Sequence, residues 1–485
     1  MQWNKVLSTV GAALLFLAVA MLVPLFVGMA YGEEEIFFPW LFSIGIISSI
    51  GFVFFWFFRV PEKSALTQRE GIAIVAFTWL SISMAGALPF IFSSSLPVTE
   101  AFFESVSGFT TTGFTSFRDV QSQPYAILFW RSFMQWLGGM GIIVISIAIF
   151  PFLGVGGGMQ LFKTELSNPT GDKVRPRLQD TARTLWKVYL LLTAAEIVLL
   201  MVGGMNLFDS VCHSFSTVAT GGFSTKNTSI AYFNSVYIEN VIMVFMFLSG
   251  ISFALFYYMF AKKEYWVLWR NPETRFYFIV VAILSLLIFI PLMVTNTFQS
   301  VWANLRYSFF QLISLITTSG FTIADYTEWP ILPQAVLFIS MFMGACAGST
   351  TGGIKMYRIM LYGKFCYSQL FQLIHSRAVH QVKVNGKVIP PQLIHNTLGF
   401  LGLYLFVCIV GIVILSAMNV DLITSAAAVI SCVGNGGSTF GGVGSSETLT
   451  GLPTAGKWVL SVCMLIGRLE IYTFLLLLVP AFWRK

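Results

Sequence analysis

Apolar runs long enough to cross a bilayer, about 20 residues each, recur along nearly the whole chain. They cover residues 6–31, 36–58, 71–92, 126–150, 185–203, 236–260, 276–294, 332–343, 393–418 and 458–482. Between some of them lie shorter apolar stretches, residues 99–109, 208–219, 303–316 and 421–433. These are too short to span and have the length of re-entrant helices. Glu100, Asp209, Asn304 and Asp421 stand near their starts, where acidic and amide side chains suit helix N-termini. The pattern predicts an all-α integral membrane protein with ten membrane-crossing helices and no sizeable soluble domain.

Each short stretch runs into a small polar loop: TTTGFT at 110–115, ATGGFST at 219–225, TTSGFT at 317–322 and GNGGST at 434–439. Gly113, Gly222, Gly320 and Gly437 occupy matching positions, roughly 100–120 residues apart and well above solenoid periods. Gly436 competes with Gly437 for the fourth slot. A serine six residues upstream (Ser107, Ser216, Ser314 and Ser431) decides for Gly437. The chain therefore divides into four fused helix–pore-loop–helix repeats, at 70–160, 161–262, 263–375 and 376–485, after a two-helix extension at 1–69.

Composition agrees. Apolar residues make up 56% of the chain and charged ones 10%, against about a quarter in soluble domains. The first apolar run is too long for a signal-peptide core, and Glu33-Glu34-Glu35 follows it, so it reads as a retained helix. Six cysteines in apolar segments without CxxC spacing indicate neither disulfides nor zinc. The net charge of +7 follows a topological pattern rather than suggesting a nucleic-acid partner. Lys5, Arg59, Lys63, Arg69, the groups in 163–187, 262–275 and 355–387, Arg484 and Lys485 fall on one side. The other side keeps Arg118, Lys226, Arg306 and Lys457. The positive-inside rule then puts both termini in the cytosol and every loop outside.

Non-helical backbone survives in a membrane only where protein buries it or water reaches it. Four such loops, one per repeat, can converge on one aqueous path. Gly allows backbone with φ > 0, small Thr/Ser/Gly residues can present carbonyls, and rings of carbonyls replace the hydration shell of K+. The negative ends of the short helices favour a cation. No acidic or basic ring lies in the loops, which argues against divalent-cation and anion pores.

The loops TTTGFT, TGGFST, TTSGFT and GNGGS resemble the filter loops of the Trk/Ktr/HKT potassium transporters, and the two leading helices resemble the TrkH branch. The resemblance covers residue 71 to the C-terminus and implies a K+-translocating subunit with the central Gly as selectivity residue. In plant members a Ser at the first such position goes with Na+ transport. Gly at all four positions here implies K+ and Rb+. The implied ion site comprises Thr111, Thr112, Gly113, Thr220, Gly221, Gly222, Thr318, Ser319, Gly320, Asn435, Gly436 and Gly437. The fourth loop departs from the pattern, with Ser438 where the others carry Phe114, Phe223 and Phe321.

The second helix of the third repeat is interrupted by GACAGSTTGG, residues 344–353, too rich in glycine to hold a helix on propensity. It is no Walker A motif, because Ile354 separates Gly353 from Lys355. A packing kink is one reading. The family resemblance supports the other, a gate under the filter carried by Gly344, Ala345, Gly348, Ser349, Thr350, Thr351, Gly352 and Gly353. Arg468 sits near the middle of the last apolar run, where a charge is expensive. Glu470, two residues on, is a poor partner for it, so Arg468 is expected to point into the cavity below the filter. Glu104 and His213 are expected to brace the filter, and Glu196 to pair with a neighbouring helix.

A symporter coupling K+ to H+ or Na+ is the main alternative, but inverted repeats characterise many of those and all four repeats here share one orientation. An enzyme is disfavoured: HExxH is absent, and His213, His375, His380 and His395 form no Ser–His arrangement. The resemblance also implies a bacterial inner-membrane location, a homodimer of the pore chain, and a cytosolic regulatory subunit that binds NAD, ATP or ADP. Residues 163–187 and 357–391 are the basic loops suited to docking it. By motif this chain binds no nucleotide, and its only ligand is the transported K+.

Overall fold

The computed structural model describes residues 1–59, 67–148, 174–375, 381–438, 440 and 451–484. Lys63, Lys163, Lys173, Thr439, His380 and Lys485, the boundary at 160/161 and the start of the fourth unit at 376 lie outside the described residues.

The structure is mostly helical. Among the described residues six helices are long and apolar enough to cross a membrane, or eight if each of two bent helix pairs forms one span. The expected ten is consistent with this. One further segment, Tyr125–Ala148, ends where the described residues end. Another, Ile331–Ser340, falls short because the chain leaves the helix after it.

Trp3–Ala20 and Leu22–Ala30 form one leading rod that turns back through Glu34–Phe57. The crossing is close: a Cβ on Gly11 would lie 2.5 Å from the Phe55 amide nitrogen and 2.8 Å from the Gly51 oxygen. Such small-residue contacts are how helices associate without a hydrophobic driving force in lipid. The Glu33 carboxylate, at the turn of this hairpin, accepts from the amides of Tyr125 and Ala126. It thereby caps the positive end of a helix in the first repeat.

Each repeat then gives a long helix, a short helix, a loop and a second long helix. The long helices are Gln68–Phe92, Val174–Val202, Pro272–Val294 and Pro391–Ser416. The short helices are Val98–Phe109, Leu207–Val218, Val301–Ile316 and Leu422–Gly434, within two residues of the expected bounds. Asn206, Ser300 and Asp421 cap three of the short helices through their side chains, accepting from Asp209, Ala303 and Thr424.

The repeat is visible in the backbone itself. Every first helix ends on a left-handed residue: Ser94, Gly204, Asn296 and Asn419, with φ of 56°, 89°, 50° and 62°. The amide just beyond returns to a carbonyl five residues back in all four: Ser95 to Phe90, Met205 to Leu200, Thr297 to Leu292 and Val420 to Leu415. This Schellman closure satisfies carbonyls that would otherwise be orphaned.

The second long helix is broken in three repeats, not only in the third. Val236–Ser249 bends by 96° into the following helix, and Thr454–Arg468 bends by 114° into Ile471–Leu478. In the third repeat the break opens into residues 344–353. Its ends are tied by a two-residue parallel pair, Met343–Gly344 with Ile354–Lys355. The basic stretch 357–391 is more ordered than a loop. It contains the helix Met356–Ile374 and a hairpin, Lys383–Val384 with Lys387–Val388, turned by Asn385 and Gly386 at φ 50° and 76°. Asn-Gly with both φ positive is the hairpin turn that matches strand twist. A separate small core of Tyr357, Met360, Leu361, Val382, Val384, Ile389 and Leu393 joins hairpin and helices.

The Gly11 crossing generates a test. Gly11→Ala should lower the thermal midpoint of the protein in detergent, because the new methyl meets backbone that cannot give way. Gly45→Ala, with nothing within 4 Å, should leave the midpoint unchanged or slightly raised.

Candidate functional site

The four short helices end alike. Thr111, Thr220, Thr318 and Asn435 all take left-handed backbone, with φ of 53°, 55°, 55° and 53°. The next amide in each loop returns to the upstream serine carbonyl: Thr112 to Ser107, Gly221 to Ser216, Ser319 to Ser314 and Gly436 to Ser431, at 2.8–2.9 Å. These are Schellman closures with Thr or Asn where Gly is usual. A non-glycine residue there costs about 1 kcal/mol or more, a cost the same turn carries in all four loops. The serine shared by the repeats contributes its carbonyl in every case. Among the described residues its hydroxyl is used in one of them, where Ser314 Oγ donates to the Phe321 carbonyl at 2.7 Å.

Beyond these turns the loops meet as a closed ring. A Cβ on Gly113 would sit 2.1 Å from the Gly221 oxygen, and one on Gly222 would sit 1.7 Å from the Ser319 oxygen. A Cβ on Gly320 would lie 2.9 Å from the Gly437 Cα, and one on Gly437 would lie 2.7 Å from the Thr112 oxygen. Loop one thus abuts loop two, two abuts three, three abuts four, and four abuts one. Gly437, the residue chosen by the serine marker, is the one that occupies the ring. Gly113, Gly222 and Gly320 carry positive φ of 91°, 78° and 78°. The fourth loop departs here, and Gly437 is not among the residues with positive φ.

The ring is held from outside by buried polar side chains. Glu104 accepts from the Ser116 amide at 2.7 Å and from Thr115 Oγ1 at 3.1 Å, and pairs with Arg131 Nε at 2.7 Å. Arg131 reaches across to the Ser224 carbonyl at 3.2 Å and lies over the Phe223 ring. His213 binds the Asp209 carbonyl and Ser224 Oγ. Both expected bracing residues are therefore in contact with the loops or their flanks. Gln135 and Arg131 were not singled out in the sequence. Gln135 Nε2 donates to the Gly221 carbonyl at 2.8 Å, and its Oε1 accepts from the Phe223 amide at 3.1 Å. The signal was available: two polar residues four apart, on one face of an apolar helix. Glu196, expected to pair with a neighbouring helix, is fully buried with Thr217 of the second short helix as its polar neighbour, and it makes no ion pair among the described residues.

The segment at 344–353 lies directly against the ends of the short helices. Thr350 Oγ1 donates to the Val218 carbonyl at 3.1 Å and is 3.3 Å from Thr220 Oγ1. The Gly352 amide donates to Thr318 Oγ1 at 2.9 Å, and a Cβ on Gly352 would lie 2.0 Å from the Gly434 oxygen. Within the segment, Ser349 and Thr351 share a hydrogen bond, and Lys355 Nζ donates to the Thr351 carbonyl and to its hydroxyl. Gly348 and Gly353 take φ of 78° and 64°. The Gly348 carbonyl accepts from Phe253 just past the break in the second repeat, and Cys346 donates to the Gly250 carbonyl before it. Ala345 is fully buried, and a Cβ on Gly344 would clash with the Gly352 oxygen.

Arg468 joins this assembly from the fourth repeat. One terminal nitrogen donates to the Thr350 carbonyl at 3.0 Å, and the other to the Gly138 carbonyl at 3.1 Å. Glu470 turns elsewhere and pairs with Arg358 at 2.6 Å. Of the basic residues on the opposite face, Lys226, Arg306 and Lys457 are each ion-paired, with Asp209, Glu239 and Glu100. Loops one and two are linked there by Asn227, which accepts from the Val120 amide and donates to Asp119. That hydrogen bond holds the Asp119 carboxyl below its usual range.

Four re-entrant helices ending at one closed ring of loops define a pore-loop membrane protein of fourfold pseudosymmetry. The chain belongs to the TrkH family of cation transport proteins, whose family model matches residues 42–485. It is 39% identical to the Trk system potassium uptake protein TrkH of Escherichia coli strain K12, over 100% of both chains. It is 37% identical to the Trk system potassium uptake protein TrkG of the same strain, over 96% of each. The crystal structure of the potassium transporter TrkH from Vibrio parahaemolyticus superposes with a TM-score of 0.92, at 37% identity and with 100% of both chains covered.

Gly222→Ala should reduce cation flux through the reconstituted protein at least about tenfold, because the methyl strikes the Ser319 carbonyl and the φ of 78° resists any side chain. Gly363→Ala, with nothing within 4 Å, should leave flux unchanged in the same liposome assay.

Proposed function

We propose that the chain is the K+-translocating subunit of a Trk-type uptake system, conducting K+ and Rb+ through a filter of backbone carbonyls. The observation that carries this reading is the closed ring of four loops, each at the C-terminal end of a re-entrant helix. Thr111, Thr112, Gly113 and their counterparts Thr220, Gly221, Gly222, Thr318, Ser319, Gly320, Asn435, Gly436 and Gly437 form the ion path. Their oxygens suit a monovalent cation that sheds its water, and the converging helix ends add partial negative charge. The names of the relatives support potassium as the transported ion. Uniform repeat orientation supports channel-like conduction over coupling to H+ or Na+.

In this reading residues 344–353 are the gate, and Arg468 holds it against the filter. The hydrogen bonds from Arg468 to Thr350, and from the segment to Thr318 and Val218, support a closed arrangement. Conduction then requires Thr350 and Gly352 to withdraw. The pore chain sits in a bacterial inner membrane with both termini cytosolic and works as a homodimer. Its basic face around the hairpin at 383–388 docks a nucleotide-binding regulatory subunit.

Fluxes of K+, Rb+, Na+ and Li+ into liposomes holding the purified chain test the proposal. K+ and Rb+ should exceed Na+ and Li+, and equal uptake of all four would reject a carbonyl filter. The reversal potential should follow the K+ gradient and ignore the H+ gradient, whereas a shift with pH would favour the symporter. Arg468→Ala should raise K+ flux several-fold, since it frees Thr350 without touching the ring. Deleting part of 344–353 should likewise leave the pore leaky, and flux at or below wild type in both variants would count against the gate.

A further inference from the structure

The fourfold pattern fails at one place beside the ring. Phe114, Phe223 and Phe321, each following its ring glycine, are all buried, with relative exposure of 5%, 1% and 0%. Phe223 lies under Arg131 of the preceding repeat, and Phe321 lies beside His213 of the preceding repeat. The fourth loop has Ser438 instead. It is just as buried, at 4%, and its hydroxyl has no hydrogen-bond partner among the described residues.

A small cavity of about 10 Å³, room for about one water, lies at this spot between repeats three and four. Its lining combines Ser438, Ser431, Ser314 and Thr318, beside Gly320 and Gly436, with the apolar side chains of Leu315 and Met341. On the third short helix, the residue nine before the ring glycine, which is Glu104 in repeat one and His213 in repeat two, is Gln311. Gln311 is fully buried, and neither end of its amide has a partner among the described residues. Ser438 thus places a buried hydroxyl, unpaired among the described residues, at the position where the other three loops carry an aromatic side chain. A buried hydroxyl or amide without a partner is costly. A polar cavity large enough for one water normally holds it.

We propose that this quadrant binds water behind the filter, and that Ser438 thereby sets how strictly the ring discriminates among monovalent cations. The inference rests on the carbonyl-filter reading above. Three loops are stiffened by a buried aromatic side chain. The fourth is backed by a small hydroxyl and a single water, and it can move inward and lend that water to a small ion. Na+ and Li+, which hold water more strongly than K+ does, gain most from such a wall. A ring plugged in all four quadrants holds its carbonyls at a fixed spacing and penalises the smaller ions.

The experiment compares Ser438→Phe with the wild-type chain in liposomes, reading the K+:Na+ and K+:Li+ flux ratios. Ser438→Phe should raise both ratios by about threefold or more, and ratios unchanged or lowered while K+ flux persists would overturn the proposal. If the bulky variant does not fold, a high-resolution density map of the wild-type protein decides. Density within hydrogen-bond distance of Ser438 Oγ supports the water site, and a dry cavity overturns it. Failure of the filter reading is recognised separately, because wild-type liposomes would then show no preference for K+ at all.

Discussion

Backbone polar groups cannot be left unpaired in a bilayer, and each feature of this protein answers that constraint. Ending a helix inside the membrane exposes its last carbonyls. The chain meets this with one device used eight times, a left-handed residue followed by an amide that folds back five residues. Four of these turns finish the first helix of each repeat, and four finish the short helices at the ring. Once the carbonyls of the last helical turn are tied down, the residues just beyond are left to meet their neighbours.

The same constraint shapes the other side of the ring. The second long helices of repeats two, three and four all break beneath it, which creates new unpaired groups at that depth. Residues 344–353 and Arg468 supply many of the missing partners. The Gly250 carbonyl accepts from Cys346, the Val218 carbonyl from Thr350, and the Thr350 carbonyl from Arg468. Buried Glu273 adds its carboxylate to the amides of Ala347 and Tyr357. The segment is thus well bonded where it lies. Any movement of it exchanges those bonds for others or for water.

Much of this was legible in the sequence because it is encoded by composition and by repetition. Apolar length marked the spans, and the spacing of Gly113, Gly222, Gly320 and Gly437 marked the units. A serine whose carbonyl does the work still identified the correct fourth glycine, because a repeat preserves position even where chemistry is not used. What escaped depends on three-dimensional meeting. Gln135 and Arg131 reach loops roughly ninety residues away, and no local pattern names their partners. The breaks after Ser249 and Arg468 lack the glycine density that marked residues 344–353, so propensity gave no warning there. Glu196 was expected to meet a neighbouring helix, but no sequence pattern identifies Thr217 as the residue it meets there.

Fusing four units in one chain has a genetic consequence. In an assembly of identical subunits every substitution is multiplied by four, so a change beside the ion path is usually too severe to persist. Here a codon alters a single wall. Asn435 can stand where the other loops have threonine and hand its amide to Thr112 and Met464. One loop can therefore change its residues and its hydrogen bonds while the other three keep theirs.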